Sequence, residues 1–342
     1  MIHDSNATVN PPCPRTDDRL GASCVTLLPR AAMHKITTLD DHWMARPRSI
    51  GTALLESDGH HAIVDPGPGS TLNTLRHELR AHGVSVSDLD AILLTHIHLD
   101  HAGASGALVR ENPRVIVYVH KLGAPHMVDP SKLLASAARL WPDNLGELFG
   151  EAVPVPESNL QILEGRETIT LGSRKIEVAY TPGHAAHHVS YFEDVEGVAF
   201  VGDTTGIGIE GQSYVMPATP PPDIDLPLWD SSFARILERK PNRLFLTHFG
   251  FSENPAAHIA QFRERLHGWM ETTEKILQTA KNDEQAMDCF LATMRAEIGE
   301  HLPAEEVEQY VATAGLNLSF LGLARHARKR AQAASSSSKA TS

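Results

Sequence analysis

Cysteine is scarce in this 342-residue chain, with only Cys13, Cys24 and Cys289 present. Three thiols cannot staple a small secreted scaffold; their scarcity fits a reducing compartment, and a cytoplasmic location is expected. Aromatic residues are few, at 6%. No run approaches the roughly 18 consecutive apolar residues of a membrane-spanning helix, so no membrane partner is expected. Positive charge is in deficit, with 30 Lys and Arg against 42 Asp and Glu and a net charge of −12 when histidine is neutral. That balance repels phosphate backbones, and no basic, aromatic-laced stretch offsets it. Nucleic acid is excluded as the main partner. The remaining composition, 42% apolar and 21% charged, is that of a globular protein. One excess stands out: 20 histidines.

Residues 1–32 carry Pro11, Pro12 and Pro14. Their one apolar stretch, 24–28, is too brief and too late for a signal peptide, and a loosely ordered arm is expected. Residues 331–342 are rich in Ala and Ser and are expected to form a mobile tail. Between these ends, 33–255 alternates strand and helix signals. Strands are expected at 50–56 and 62–64, joined through the turn at Asp58 and Gly59. Others are expected at 91–94, 115–119, 176–180, 189–192, 198–201 and 244–246. Ser70 is placed to cap a helix with Leu72, Leu75 and Leu79 on one face, ending at Gly83. From 256 to 330 apolar residues recur at helical spacing, as at Ile259, Phe262, Leu266 and Met270. The pattern predicts an α/β core with a C-terminal α-helical extension.

Thr95-His96-Ile97-His98-Leu99-Asp100-His101 carries the strongest chemical signal. Four ligand-type side chains fall within six residues, directly after an apolar strand. On extended backbone His96 and His98 share a face, and Asp100 and His101 follow where the chain leaves the strand. Imidazole and carboxylate suit zinc or iron, and close spacing lowers the entropy cost of assembling a site. Three more candidates each close an apolar strand: His184 in Thr181-Pro182-Gly183-His184, Asp203 in Val201-Gly202-Asp203, and His248 in Leu246-Thr247-His248. Loops at strand ends are where a rigid sheet presents functional groups.

His96-x-His98-x-Asp100-His101, followed in order by His184, Asp203 and His248, resembles the metallo-β-lactamase superfamily, and Asp65 in Val64-Asp65-Pro66-Gly67 extends the likeness. The resemblance covers about 50–250 and implies a four-layer αβ/βα sandwich with a metal site at one edge. It implies His96, His98 and His184 on one metal, Asp100, His101 and His248 on a second, and Asp203 bridging them. Asp65 would orient a ligand from behind. Two divalent ions are implied, with zinc as the default and iron or manganese as alternatives. Such a pair acidifies a shared water towards neutral pH and polarises a substrate carbonyl, while Asp100 orients or deprotonates the nucleophile. No serine nucleophile is needed, and Ser105 lacks the G-x-S-x-G setting. Asp203 favours the glyoxalase II-like branch, acting on esters and thioesters of small molecules. Lactonases of the superfamily carry a tyrosine just after the bridging aspartate; here Thr204-Thr205-Gly206 follows. The other readings are a lactonase or β-lactamase, an iron-dependent persulfide dioxygenase, and a non-catalytic metal-binding protein.

Gly206-Ile207-Gly208-Ile209-Glu210-Gly211 spells a dinucleotide fingerprint, but the prolines at 217 and 220–222 deny it the helix that fingerprint requires. Substrate selection is expected from the loops at 204–230 and 129–156. Tyr214, Met216 and Trp229 are candidates to line a pocket, as are Trp141 and Phe149. His187 and His188 follow the ligand His184 closely; either could support a ligand from behind or face solvent, and neither is taken as a ligand. The helical end carries Arg263, Arg265 and Lys275, which could meet a glutathione moiety or face solvent. It is expected to cap the core or to join two copies in a homodimer.

Overall fold

A computed structural model describes residues 33–209 and 214–340. The first half folds into a six-stranded sheet: β1 (His34–Asp40), β2 (Gly51–Ser57), β3 (His60–Val64), β4 (Leu89–Leu93), β5 (Ile116–His120) and β6 (Leu160–Leu163), in that spatial order. Strands β1 to β3 run antiparallel, and β3 to β6 run parallel. A second six-stranded sheet contains β7 (Thr168–Leu171), β8 (Arg174–Tyr180), β9 (Val189–Glu193), β10 (Val198–Phe200), β11 (Arg243–Leu246) and β12 (Gly250–Ser252). Its one parallel pair is β10 with β11.

Helices fill the connections. The first half carries α1 (Leu72–Ala81), α2 (Leu99–Ala102), α3 (Ser105–Glu111), α4 (Ala124–Val128), α5 (Ser131–Ala137) and α6 (Leu145–Phe149). The second half adds α7 (Leu226–Glu238), α8 (Pro255–Thr279), α9 (Asp283–His301), α10 (Ala304–Ala314) and α11 (Leu316–Ala340). Among the described residues, no helix is long and apolar enough to cross a membrane.

Strand alternation explains the layering. In β2, Ala53 and Leu55 face the second sheet, where they join Ile176, Val178, Tyr191, Phe200 and Phe245 in the central core. Leu54, between them, faces the other way, onto Leu75 and Leu79 of α1 and Leu108 of α3. The outer face of the second sheet, including Phe192, Ala199 and Leu244, is covered by Trp229 and Phe233 of α7 and Phe262 of α8. The result is helix on sheet on sheet on helix, the expected αβ/βα sandwich.

The helical end is continuous with this core: Phe290, Tyr310 and Phe320 belong to the same apolar cluster as Trp229 and Phe262. The expected N-terminal arm lies outside the described residues. Helix α11 runs to Ala340, through the Ala/Ser-rich stretch where a mobile tail was expected. Alanine is the best helix former, so a run begun at Leu316 has little reason to stop at 331. Ser70 also departs from expectation. It lies in a 3-10 turn, Gly69–Thr71, and its hydroxyl donates to Leu148 O (2.6 Å) instead of capping α1.

Candidate metal centre

Every candidate ligand follows the carboxyl end of a strand. The cluster at 96–101 follows β4, His184 follows β8, Asp203 follows β10 and His248 follows β11. Asp65 follows β3, parallel to β4. Parallel neighbours end side by side, so their loops open into one crevice. Helix α2 turns Asp100 and His101 back towards the two preceding histidines, with Ala102 N donating to His98 O (2.9 Å). On the other sheet, glycines precede two ligands. Gly183 has φ +144°, and a Cβ there would stand 2.5 Å from the Trp229 backbone. Gly202 has φ +46°, and a Cβ would meet Thr95 Oγ1 at 2.4 Å. Both positions need glycine for conformation and for space.

The seven candidates converge. Three triads each place their ligand atoms within 4.8 Å of one another: His96, His98 and His184; His96, His101 and Asp203; Asp100, His101 and His248. His98 Nδ1 lies 2.9 Å from His96 Nε2 and 3.1 Å from His184 Nε2. Asp203 sits between the groups, with Oδ2 3.5 Å from His184 Nε2 and Oδ1 3.3 Å from His101 Nε2. Asp100 Oδ2 lies 3.4 Å from His248 Nε2. His101 Nε2 and Asp203 Oδ1 are buried and make no hydrogen bond among the described residues. Buried polar atoms without partners are costly, and a cation between them satisfies both. The donor set therefore fits a metal site.

The far side of each imidazole is held in turn. His184 and His248 donate from Nδ1 to backbone carbonyls, Ala218 O at 3.0 Å and Ser49 O at 2.7 Å. A carbonyl can only accept, so each Nε2 keeps its lone pair for a ligand bond. His101 Nδ1 meets Asp65 Oδ2 at 2.9 Å. Asp65 is a hub: it also accepts from Thr95 N (2.8 Å), Thr95 Oγ1 (2.7 Å) and Thr247 Oγ1 (2.8 Å). Its φ of +51° is unusual for a residue other than glycine, and these four contacts hold it there.

Electrostatically the site has two poles. Burial and neighbouring histidines keep His96 well below the usual imidazole range, and burial with His184 brings His98 down to about 3. Both present neutral nitrogens. At the other pole burial disfavours charge on His101, yet Asp203, Asp100 and Asp65 raise it well above that range. Burial likewise pushes Asp100 up, but His101 and His248 win and pull it down to about 2. Positive charge is in demand where the carboxylates meet.

A cavity of about 350 Å³ opens above the site, with His98, Asp100, Asp203 and His248 at its base. Trp141 and Phe149 line it, as does His187. Tyr214, Met216 and Trp229 do not line it, which corrects their expected place in a pocket wall. All three are fully buried in the core beneath the C-terminal helices. Tyr214 packs against Tyr310 and bonds Glu297 through its hydroxyl (3.1 Å). Trp229 donates to Thr204 O (2.5 Å) and braces His184 edge-on. His188 is buried beside the site, 3.0 Å from Thr204 Oγ1, with its ring stacked against His96. In the glycine-rich decoy, Ile207 pairs with Met216 across an isolated bridge, and 214–225 contains no helix.

Fold and site together define the family. The chain belongs to the metallo-beta-lactamase superfamily, whose pattern matches residues 46–248. It is 33% identical over 171 residues, 47% of its length, to the metallo-beta-lactamase fold-containing protein ST1585 of Sulfurisphaera tokodaii, covering 61% of that protein. It is 32% identical over 153 residues, 44% of its length, to a hydroxyacylglutathione hydrolase of Hahella chejuensis, covering 45% of it. The chain thus spans less than two thirds of either relative. The metallo-beta-lactamase family protein TTHA1429 of Thermus thermophilus shares the fold, with a TM-score of 0.65 at 20% identity over 86% of this chain and 94% of that one.

Proposed function

We propose that this protein is a dinuclear metal-dependent hydrolase acting on esters, thioesters or similar carbonyl compounds. The observation that carries the reading is the convergence of three donor triads on one focus at the base of a cavity. His96, His98 and His184 would hold one ion, and Asp100, His101 and His248 the other. Asp203 offers one oxygen to each group, as its two contacts support. When bound, a divalent pair supplies Lewis acidity, acidifying water towards neutral pH and polarising a carbonyl. Five imidazoles and two carboxylates suit zinc, the borderline ion of the series.

The chain's own residues orient and shield. Asp100 is ionised at neutral pH and faces the cavity, where it accepts a hydrogen bond from an attacking water and directs its lone pair inward. Asp65, Ser49 O and Ala218 O fix the imidazole rings, so little reorganisation accompanies the reaction. Ser105 is buried in α3 and takes no part. The likeness to proteins named hydroxyacylglutathione hydrolase supports a thioester among the substrates to test.

Metal analysis of the purified protein is expected to find two divalent ions per chain, with hydrolysis of a panel of esters, thioesters and lactones. His96→Ala and Asp203→Ala should each lose bound metal and more than about 100-fold of the activity, exceeding the cost of removing an outer-shell partner, while the far-ultraviolet circular dichroism is unchanged. Full activity in either variant refutes the site. A single iron per chain with oxygen consumption replaces hydrolysis by the dioxygenase reading.

A further inference from the structure

We propose that the substrate carries an apolar acyl or alkyl tail, and that the cavity above the metal centre is built to hold that tail and not a polyanionic carrier such as glutathione. The carbonyl end of this inference rests on the hydrolase reading; the tail end rests on the cavity alone. At about 350 Å³ the cavity lies within the usual range of small-molecule sites.

Its walls come from three separate parts of the chain. One is aromatic: Trp43, Phe149 and Trp141 form a continuous surface, with ring centroids 5.7 Å and 4.9 Å apart. Trp43 spends its indole N–H on Leu148 O (2.6 Å), so the ring offers the cavity no unsatisfied donor. Leu133 and Leu140, both half-buried, extend this surface from α5 and the turn after it. Ala314 and Leu318 add to the lining where α10 gives way to α11. Half-buried leucines and tryptophan in a concave site lose water contact only when a ligand covers them.

Charge argues the same way. Among the described residues lining the cavity, Lys132 is the sole lysine or arginine; it is exposed, and the exposed Asp223 also lines the cavity. Of the cations that the helical end could have offered, Lys275 does not line the cavity and the two arginines are engaged elsewhere. Arg263 pairs with Asp230 (2.7 Å), and Arg265 lies over the Tyr214 ring at 4.0 Å. Beyond the ligands at the base, two carboxylates of a polyanionic carrier would meet Lys132, His126 and the carboxylate of Asp223, too few cations to offset their desolvation. Beside the base, His187 Nδ1 is buried and makes no hydrogen bond among the described residues, which leaves one polar atom for the head of the substrate.

Two measurements on the full chain test the proposal. The first follows kcat/KM of the zinc-loaded protein on straight-chain acyl thioesters of N-acetylcysteamine, from acetyl to dodecanoyl, with lactoylglutathione as the comparison. The expected result is a rise of roughly three- to fourfold per methylene until the cavity is full, with lactoylglutathione below the longer acyl chains. The second titrates metal-depleted protein with straight-chain alcohols by calorimetry, where affinity should rise by a similar factor per methylene. Leu140→Asp should flatten both dependences. If thioesters are cleaved but neither rate nor affinity responds to chain length, or if lactoylglutathione is the best substrate, the apolar tail is overturned and the hydrolase stands. If alcohols bind with rising affinity and no thioester, ester or lactone is cleaved, the tail site stands and the hydrolase reading falls.

Discussion

The two sheets furnish the metal centre in different ways. The first supplies four ligands from six consecutive residues, and their supports are near at hand: α2 closes onto His98 O, and Asp65 comes from the neighbouring parallel strand. The second supplies one ligand from each of three loops, and its supports are distant. His184 depends on Ala218 O, 34 residues onward, and His248 on Ser49 O, 199 residues away. Helix α11 packs against the loop that carries Ala218, so closely that a Cβ at Gly322 would stand 1.9 Å from Thr219 O. The first half of the site is therefore local. The second half depends on contacts between distant parts of the described chain, with α11 packed on the loop that carries Ala218. The helical extension acts as the buttress of the ligand loops as well as a cap on the core.

The widest break in this contrast is expected at Asp65, which lies behind the ligands and bonds to both sides, to Thr95 and His101 on one and to Thr247 on the other. Asp65→Asn removes the buried charge facing His101 and misplaces a donor among Thr95 and Thr247. Losing one member of a buried charged pair costs about 3–5 kcal/mol, so thermal unfolding of the metal-depleted protein should fall markedly and both metals should weaken together. Loss of only one metal would show that the hub does not couple the halves. Gly183→Ala attacks the distant side alone. A Cβ against the Trp229 backbone and a strained φ should cost about 1–3 kcal/mol and weaken the His184 ion first. Metal titration followed by calorimetry would reveal unequal sites; equal loss at both would contradict the division.

The smallest effect tests the buttress. Tyr310 Oη accepts from Ile209 N (3.0 Å) and donates to Tyr214 O (2.7 Å), tying α10 to the loop after Asp203. Tyr310→Phe leaves two buried backbone groups unpaired and should cost about 1–2 kcal/mol in denaturant unfolding. Hydrogen exchange at Ile209 should rise with it. Unchanged exchange there would mean the helices cap the core without bracing the site.

The legibility of the chain follows the same line. All eight interior strands are foreseen, because most of them read as short hydrophobic runs and β8, with Glu177 exposed between Ile176 and Val178, reads by its alternation. The four strands not foreseen, β1, β6, β7 and β12, are the four sheet edges. An edge strand pairs on one side only and keeps polar residues outward, as in Thr168–Leu171, so its pattern is weak. The ligands are legible because few side chains bind metal and seven of them close apolar strands in one order. The pocket is not. Tyr214, Met216 and Trp229 have the composition of a pocket wall and the placement of a core, and nothing local distinguishes the two. Ser49 and Ala218 had no signal at all, since a carbonyl oxygen is common to every residue.

The amino-acid order alone determined which side chains are available to hold metal, the strand ends that carry them, and an α/β core with a helical extension, the αβ/βα layering being what the family resemblance implied. These follow from residue chemistry and from the two-residue period of strands, both local properties. Tertiary structure alone decided which nitrogen of each imidazole faces inward, which aromatics wall the cavity, and that the C-terminal helices brace the ligand loops. Each of those is a contact between residues tens to hundreds of positions apart. Such contacts depend on how whole elements pack, and no short stretch of the chain records that.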